Sequence, residues 1–209
     1  MIDVYAFATP NSLKVPIALE ELGLEYTLNP VNVRQDEQKT EQFLALNPNA
    51  KVPVLVDYDG PAGPVTITES AAILVYLAEK TGRLLARDGV ERVRVFEQLF
   101  FHASALSPSF GQSGYFQRSA PEQIPLAIAR FHGEAERTTG VLDGVLASNP
   151  FAAGAEFSIA DIAHFGWFWR REFAGIDLSK FPNVQRWYGG IAARPAVERA
   201  IARITALAA

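Results

Sequence analysis

The chain has 209 residues, 49% hydrophobic and 20% charged, the balance of an ordinary globular protein with room for a sizeable core. Its net charge of −4 and its lack of cysteine exclude a disulfide framework, a protein thiol as nucleophile, and the strongly basic surface that nucleic acid requires. No apolar run approaches the roughly 20 residues of a membrane-spanning helix, and Met1-Ile2-Asp3-Val4-Tyr5 reads as a strand rather than a leader peptide, so a cytoplasmic location is expected.

Charge is uneven along the chain. Residues 1–80 carry 5 basic and 11 acidic side chains, and residues 81–209 carry 14 basic and 12 acidic, with Arg used almost to the exclusion of Lys in the second part. For most of these arginines, solvated helix faces and salt links are a sufficient reading.

The first 80 residues alternate strand and helix. Ile2–Phe7 is a short apolar strand. Ala8-Thr9-Pro10-Asn11-Ser12 is a turn rich in helix-capping residues. Lys14–Leu22 has helical spacing at Val15, Ala18, Leu19 and Leu22, and Gly23 stops it. Tyr26–Val33 reads as a second strand and Gln38–Leu46 as a shorter helix ended by Asn47-Pro48-Asn49. Val54–Val56 and Val65–Thr68 are strands joined by a Gly/Pro-rich hairpin, and Glu69–Glu79 is a helix with Ala72, Ile73, Tyr76 and Leu77 on one face.

Between the second helix and the third strand lies Asn49-Ala50-Lys51-Val52-Pro53-Val54. A proline opening a strand gives no N–H to the ladder, so the residue before it stands at an unpaired edge. An X-Pro bond also adopts the cis form far more cheaply than any other, and the Val52-Pro53 bond is expected to be cis. Such a turn offers the backbone of Val52 to an extended ligand. Read alone, the stretch is better explained by a proline that starts a strand with no ligand. The order β-α-β-α-β-β-α, with proline before the third strand, resembles the thioredoxin fold.

After Gly82 the pattern changes. Residues 83–89 read as a linker, and from Val90 onward helical periodicity predominates, giving an all-α second domain over residues 90–209 after a thioredoxin-like domain over 1–82. A long helix runs from about Val90 through Leu106 and is expected to kink or break at Pro108 and Gly111. Another fills Pro121–Leu146, opened by its proline. In Phe157-Ser158-Ile159-Ala160-Asp161-Ile162, Ser158 caps a helix and Asp161 reaches back from the third position, with Phe157 and Ile162 as a hydrophobic staple. The apolar helix Ile159–Phe173 that follows should be central. Helices over Val184–Arg194 and Ala196–Leu207 complete the chain.

A thioredoxin-like half with a Val-Pro turn and a Glu69-Ser70 pair, followed by a helical half with a Ser-Ile-Ala-Asp box, resembles a cytosolic glutathione transferase over nearly the whole chain. Thr9-Pro10-Asn11, Phe110-Gly111-Gln112 and Phe157–Ala163 are most similar to the bacterial nu class. The resemblance implies glutathione or its disulfide as ligand and co-substrate, disulfide-bond reduction as the reaction, a small disulfide or electrophile as second substrate, and a homodimer. It also implies ligand contacts at Gln38 and at Arg130. His102-Ala103-Ser104-Ala105-Leu106-Ser107-Pro108 departs from the glycine-rich run that class favours.

The chemistry of each position can be argued from its residues. Glutathione is an extended tripeptide with two carboxylates, an ammonium and a thiol. Its cysteinyl backbone can add as a strand at Val52, beside Pro53. At Glu69-Ser70 a strand becomes a helix, whose start offers free N–H groups and a positive dipole end to a carboxylate; the Ser70 hydroxyl adds a bond and Glu69 pairs with the ammonium. An ordinary helix cap explains Thr68-Glu69-Ser70 equally well. Lys51 can reach the glycyl carboxylate. The thiol needs donors that favour its thiolate. Thr9, Asn11 and Ser12 are the candidates, each also explained as a cap; the resemblance ranks Asn11 and Thr9 first, and Tyr5, inside a strand, is discounted. His102, His132 and His164 are scattered without metal-ligand spacing, so no metal is expected. Two alternatives to the reductase remain from sequence: conventional conjugation of glutathione to electrophiles, and a non-catalytic glutathione-binding or regulatory module.

Overall fold

A computed structural model describes residues 1–208. The chain forms two compact units, Met1–Arg83 together with the chain from Ala193 on, and Leu84–Ala192. In the first, β1 (Ile2–Ala6), β2 (Thr27–Pro30), β3 (Val54–Asp57) and β4 (Val65–Ile67) form one sheet in the order β2-β1-β3-β4. β1 pairs parallel with β2 and antiparallel with β3, and β3 pairs antiparallel with β4. The strand read over Ile2–Phe7 is present as Ile2–Ala6, with Ile2, Val4 and Ala6 buried and Asp3 and Tyr5 partly exposed, the period-2 pattern of a half-covered strand. All of β3 is buried, as a central strand should be.

α1 (Pro10–Leu22) crosses from β1 to β2, and Gly23 at φ 71 ends it in the left-handed conformation that glycine takes without penalty. The helix expected over Gln38–Leu46 is shorter: two 3-10 turns, Val33–Gln35 and Glu37–Lys39, precede α2 (Glu41–Leu46), whose first N–H groups are capped by Thr40. α3 (Ser70–Thr81) follows β4. The Val52-Pro53 bond is cis.

The last helix, α9 (Pro195–Ala206), packs against α1 and so belongs to the first unit. The sequence placed it with the helical domain, because periodicity shows which face is buried and not which element covers it. Val197, Ala200 and Ile204 supply the apolar contact. Arg194 holds Glu21 through two bonds of 2.6 and 2.9 Å, and Arg199 and Arg203 hold Glu20 at 2.7 and 3.2 Å.

The second unit opens with a helical run in which Pro108 causes no break. α4 (Gly89–Phe101) passes through a π stretch, His102–Leu106, into α5 (Ser107–Gly114) and a second π stretch, Tyr115–Ser119. The π turn reaches back one residue farther, with Ser107 N–H bonded to the His102 carbonyl, and Pro108 enters in the first turn of α5, where its missing N–H costs little. α6 begins at Pro125 and not at Pro121, and runs to Ala147. α7 (Ile159–Trp169) is the centre of the unit, buried from Ile159 through Phe168, and α8 spans Pro182–Ala192. Phe110 meets Phe168 at 5.3 Å between ring centres, and Phe168 meets Trp187 at 5.6 Å.

The capping box at Ser158 is present as read, and Asp161 does more than close it. Its carboxylate accepts from Ser158 N–H at 3.0 Å and the Ser158 hydroxyl at 3.2 Å. It also accepts from Ala152 N–H at 2.8 Å and Trp187 Nε1 at 2.8 Å.

Candidate functional site

In the first unit, Asn11, Asn47, Asn49, Lys51, Val52, Pro53, Glu69 and Ser70 line a cleft of about 250 Å³. Residues far apart in sequence meet there because three element ends converge: the start of α1, the turn before β3 and the start of α3. A larger groove of about 540 Å³, with Tyr5, Phe43 and Leu46 in its walls, has none of the candidate residues in its lining.

The turn before β3 is held by a buried asparagine. Asn47 Nδ2 donates to the Lys51 carbonyl at 2.7 Å and its Oδ1 accepts from Asn49 N–H at 3.0 Å. Ala50 takes a left-handed φ of 54, uncommon for a residue with a side chain. β3 enters its register with β1 only at Val54, so Val52 stands two residues before the ladder, at the cleft.

At the start of α3, Glu69 has φ 64 and ψ 112 and its side chain makes no capping bond. Glu69 occupies the N-cap position, so capping by its side chain is not what Thr68-Glu69-Ser70 provides here. A left-handed backbone on such a residue costs on the order of 1–3 kcal/mol and persists where surrounding structure enforces it. Here it accompanies a carboxylate in the lining of the cleft, one residue before the free N–H groups of α3.

The α1 turn sorts its candidates. Thr9 is the cap: its Oγ1 accepts from Ser12 N–H at 3.2 Å and its hydroxyl donates to Ser12 Oγ at 2.9 Å. Ser12 is buried, with its Oγ also accepting from Phe7 N–H at 3.4 Å. Thr9, which the sequence ranked beside Asn11, has its hydroxyl engaged within the cap and is not among the residues that line the cleft. Asn11 is in the lining.

Gln38 also falls outside that lining. Its Nε2 donates to Asp36 Oδ1 at 3.4 Å, while its Oε1 is buried and accepts no hydrogen bond. Arg130 is exposed on α6, in the second unit, where its charge helps hold the Glu134 carboxyl below its usual range, after the larger effect of Arg137's hydrogen bond.

Sequence reasoning missed Lys14. It is 1% exposed, and its Nζ donates to Asn11 Oδ1 at 2.7 Å and Ser70 Oγ at 3.2 Å. Burial pushes its pKa down to about 7, with Glu69's charge opposing part of that shift. The available signal was a lysine inside the apolar run Leu13–Leu19. Among the described residues, no group of His, Cys, Asp and Glu could hold a metal ion, and no helix is long and apolar enough to cross a membrane.

Known proteins share both halves of this arrangement. Residues 8–80 match the family model for the glutathione S-transferase N-terminal domain, and residues 127–195 match that for the C-terminal domain. The chain belongs to the glutathione S-transferase family. It is 40% identical over 205 residues to the disulfide-bond oxidoreductase YfcG of Escherichia coli K12, covering 96% of this chain and 94% of that one. It is 37% identical to the disulfide-bond oxidoreductase YghU of the same organism, covering 95% and 73%. A glutathione transferase family member from Pseudomonas fluorescens, solved with two glutathione molecules bound, superposes with a TM-score of 0.91 at 38% identity, over 96% of this chain and 92% of that one. A glutathione transferase from Pseudomonas putida, solved with one glutathione disulfide per subunit, gives 0.89 at 36% identity, over 96% and 90%. The fold of this family, a thioredoxin-like sheet-and-helix domain with a helical domain, is the fold that the sequence pattern indicated.

Proposed function

We propose that this transferase-family protein is a glutathione-dependent disulfide-bond reductase of the nu class. The observation that carries the reading is the convergence, in one cleft, of the Val52 strand edge, the start of α3 with Glu69 and Ser70, and the Asn11 amide, in a chain without cysteine.

Glutathione enters extended. Its cysteinyl backbone pairs with Val52, the edge that Pro53 leaves outside the ladder. Its γ-glutamyl carboxylate sits on the α3 N–H groups and the Ser70 hydroxyl, its ammonium faces Glu69, and Lys51 takes the glycyl carboxylate. Asn11 Nδ2 donates to the sulfur and favours the thiolate, with Thr9 fixing the turn that presents it. Gln38, with an acceptor already buried and unmatched, contributes a further ligand contact. Arg130 binds a carboxylate across a homodimer interface. The working location is the cytoplasm, where glutathione is kept reduced.

With no protein thiol, both reducing equivalents come from glutathione. A bound thiolate attacks one sulfur of the substrate disulfide, forms a mixed disulfide and expels the other sulfur as a thiolate, which takes up a proton. A second glutathione thiolate attacks the mixed disulfide, releases the second substrate thiol and leaves glutathione disulfide. A neutral amide donor suits this exchange, which runs best when the attacking thiol's pKa lies near ambient pH.

Titration calorimetry tests the reading. Two glutathione molecules, or one glutathione disulfide, should bind per chain and compete with each other. Saturation by one glutathione that the disulfide does not displace contradicts it.

A further inference from the structure

Lysine is rarely buried, because taking an ammonium out of water is costly unless it is held by acceptors. Two of the acceptors that hold Lys14 belong to different element ends: Asn11 Oδ1 at 2.7 Å in the first turn of α1, and Ser70 Oγ at 3.2 Å at the start of α3. An ammonium only donates, so the amide atom facing Lys14 must be the oxygen of Asn11. The two amide atoms branch from one carbon, so Nδ2 is directed away from Lys14. In the same way, Ser70 accepts from Lys14 and keeps its own hydroxyl hydrogen to donate elsewhere.

We infer, resting on the glutathione-dependent reading above, that Lys14 is a positioning residue for disulfide reduction, holding Asn11 with its NH₂ toward the bound sulfur and Ser70 with its hydroxyl hydrogen toward the ligand carboxylate. Its charge also polarises the Asn11 amide, strengthening the N–H that meets developing negative charge on sulfur. A neutral amine has a lone pair and can accept, so deprotonation of Lys14 removes the constraint on which way the amide faces. With a pKa of about 7, Lys14 carries the ammonium below that pH and loses it as pH rises through it.

Charged groups on the neighbouring elements leave this assignment to Lys14. α3 and α9 pack on α1. On α3, Glu69 opposes the lowering of the Lys14 pKa, Tyr76 and Lys80 engage Asp57, and Glu79 lies in the last turn. On α9, Arg194, Arg199 and Arg203 hold Glu21 and Glu20 at the other end of α1, and Glu198 is exposed. Lys51 is an exposed residue of the cleft lining.

The test compares wild type with Lys14→Met, which removes both donor and charge, and Lys14→Gln, which keeps a donor without charge. Steady-state reduction of hydroxyethyl disulfide by glutathione is followed across pH, with the ultraviolet absorbance of the bound thiolate titrated in parallel. In K14M, kcat should fall at least about tenfold while KM for glutathione rises no more than about threefold through the loosened Ser70 hydroxyl, since the larger loss acts on charge at sulfur. The thiol pKa should rise, and the alkaline limb of the wild-type kcat/KM profile should vanish in both variants. K14Q should retain more kcat than K14M, and it carries the test should K14M not fold. Folded variants with wild-type kcat, thiol titration and pH profile overturn the inference alone. A wild type that neither binds glutathione nor reduces the disulfide overturns it together with the functional reading, and the wild-type arm tells the two failures apart.

Discussion

Replacing Asp161 by Ala should destabilise the second unit far more than replacing Ser158 by Ala, although both belong to one capping box. Ser158→Ala removes a cap acceptor, a loss of about 1 kcal/mol. Asp161→Ala also removes one cap partner, the acceptor of Ser158 N–H, but strands two more buried donors, Ala152 N–H and Trp187 Nε1. Each buried donor left without an acceptor costs about 1–3 kcal/mol, which with the cap loss brings the whole to about 3–7 kcal/mol. Burial pushes the Asp161 carboxyl above its ordinary range against the pull of these donors, so part of the cost is returned when the carboxyl is removed, and the loss is expected toward the low end of that range. All three tryptophans, Trp167, Trp169 and Trp187, lie in this unit, so their fluorescence in a urea titration reads its unfolding. The midpoint should drop several times farther for Asp161→Ala than for Ser158→Ala at a similar slope, with glutathione affinity unchanged in both. Equal shifts would show that Ala152 and Trp187 find other partners, and the reasoning would fail.

Three other outcomes follow from the same contacts. Asn11→Ala should lower kcat for disulfide reduction by about 10²-fold with little change in glutathione affinity, because its donor acts on charge developing at sulfur; stopped-turnover rates set beside a binding isotherm decide it. Arg130→Ala should weaken glutathione binding by about tenfold or more, the size of one charge-assisted contact, and an unchanged isotherm removes Arg130 from the site. Ile204→Ala opens a cavity where α9 covers α1 and should cost about 2–5 kcal/mol; faster amide exchange along α1 is the readout, and unaltered exchange refutes the packing role.

Much of this fold is legible because its signals are local. The apolar run at Ile2–Ala6, Gly23 after α1, Pro53 before β3 and the Ser158–Asp161 box each act within a few residues and are found where the pattern put them. The misplacements arise where residue type and periodicity do not show the deciding feature. Pro108 reads as a breaker until the preceding π stretch admits it, and α9 reads as part of the helical domain until Glu20 and Glu21 on α1 claim its arginines. The site divides in the same way. Val52, Glu69 and Ser70 stand out by type and setting and Asn11 through the family resemblance, and all line the cleft. Lys14 does not, since its meaning depends on Ser70, 56 residues away, and the pattern does not show that the Thr9 hydroxyl is engaged by Ser12.

The central claim is that glutathione supplies both electrons to a disulfide in a cleft built without a protein thiol. The most direct measurement is the rate of hydroxyethyl disulfide reduction by the wild-type protein, with glutathione disulfide production coupled to a reductase, set against conjugation of chlorodinitrobenzene in the same buffer. Brisk reduction, one glutathione disulfide formed per disulfide consumed, and weak or absent conjugation are expected. Brisk conjugation with the disulfide left unreduced would contradict the account.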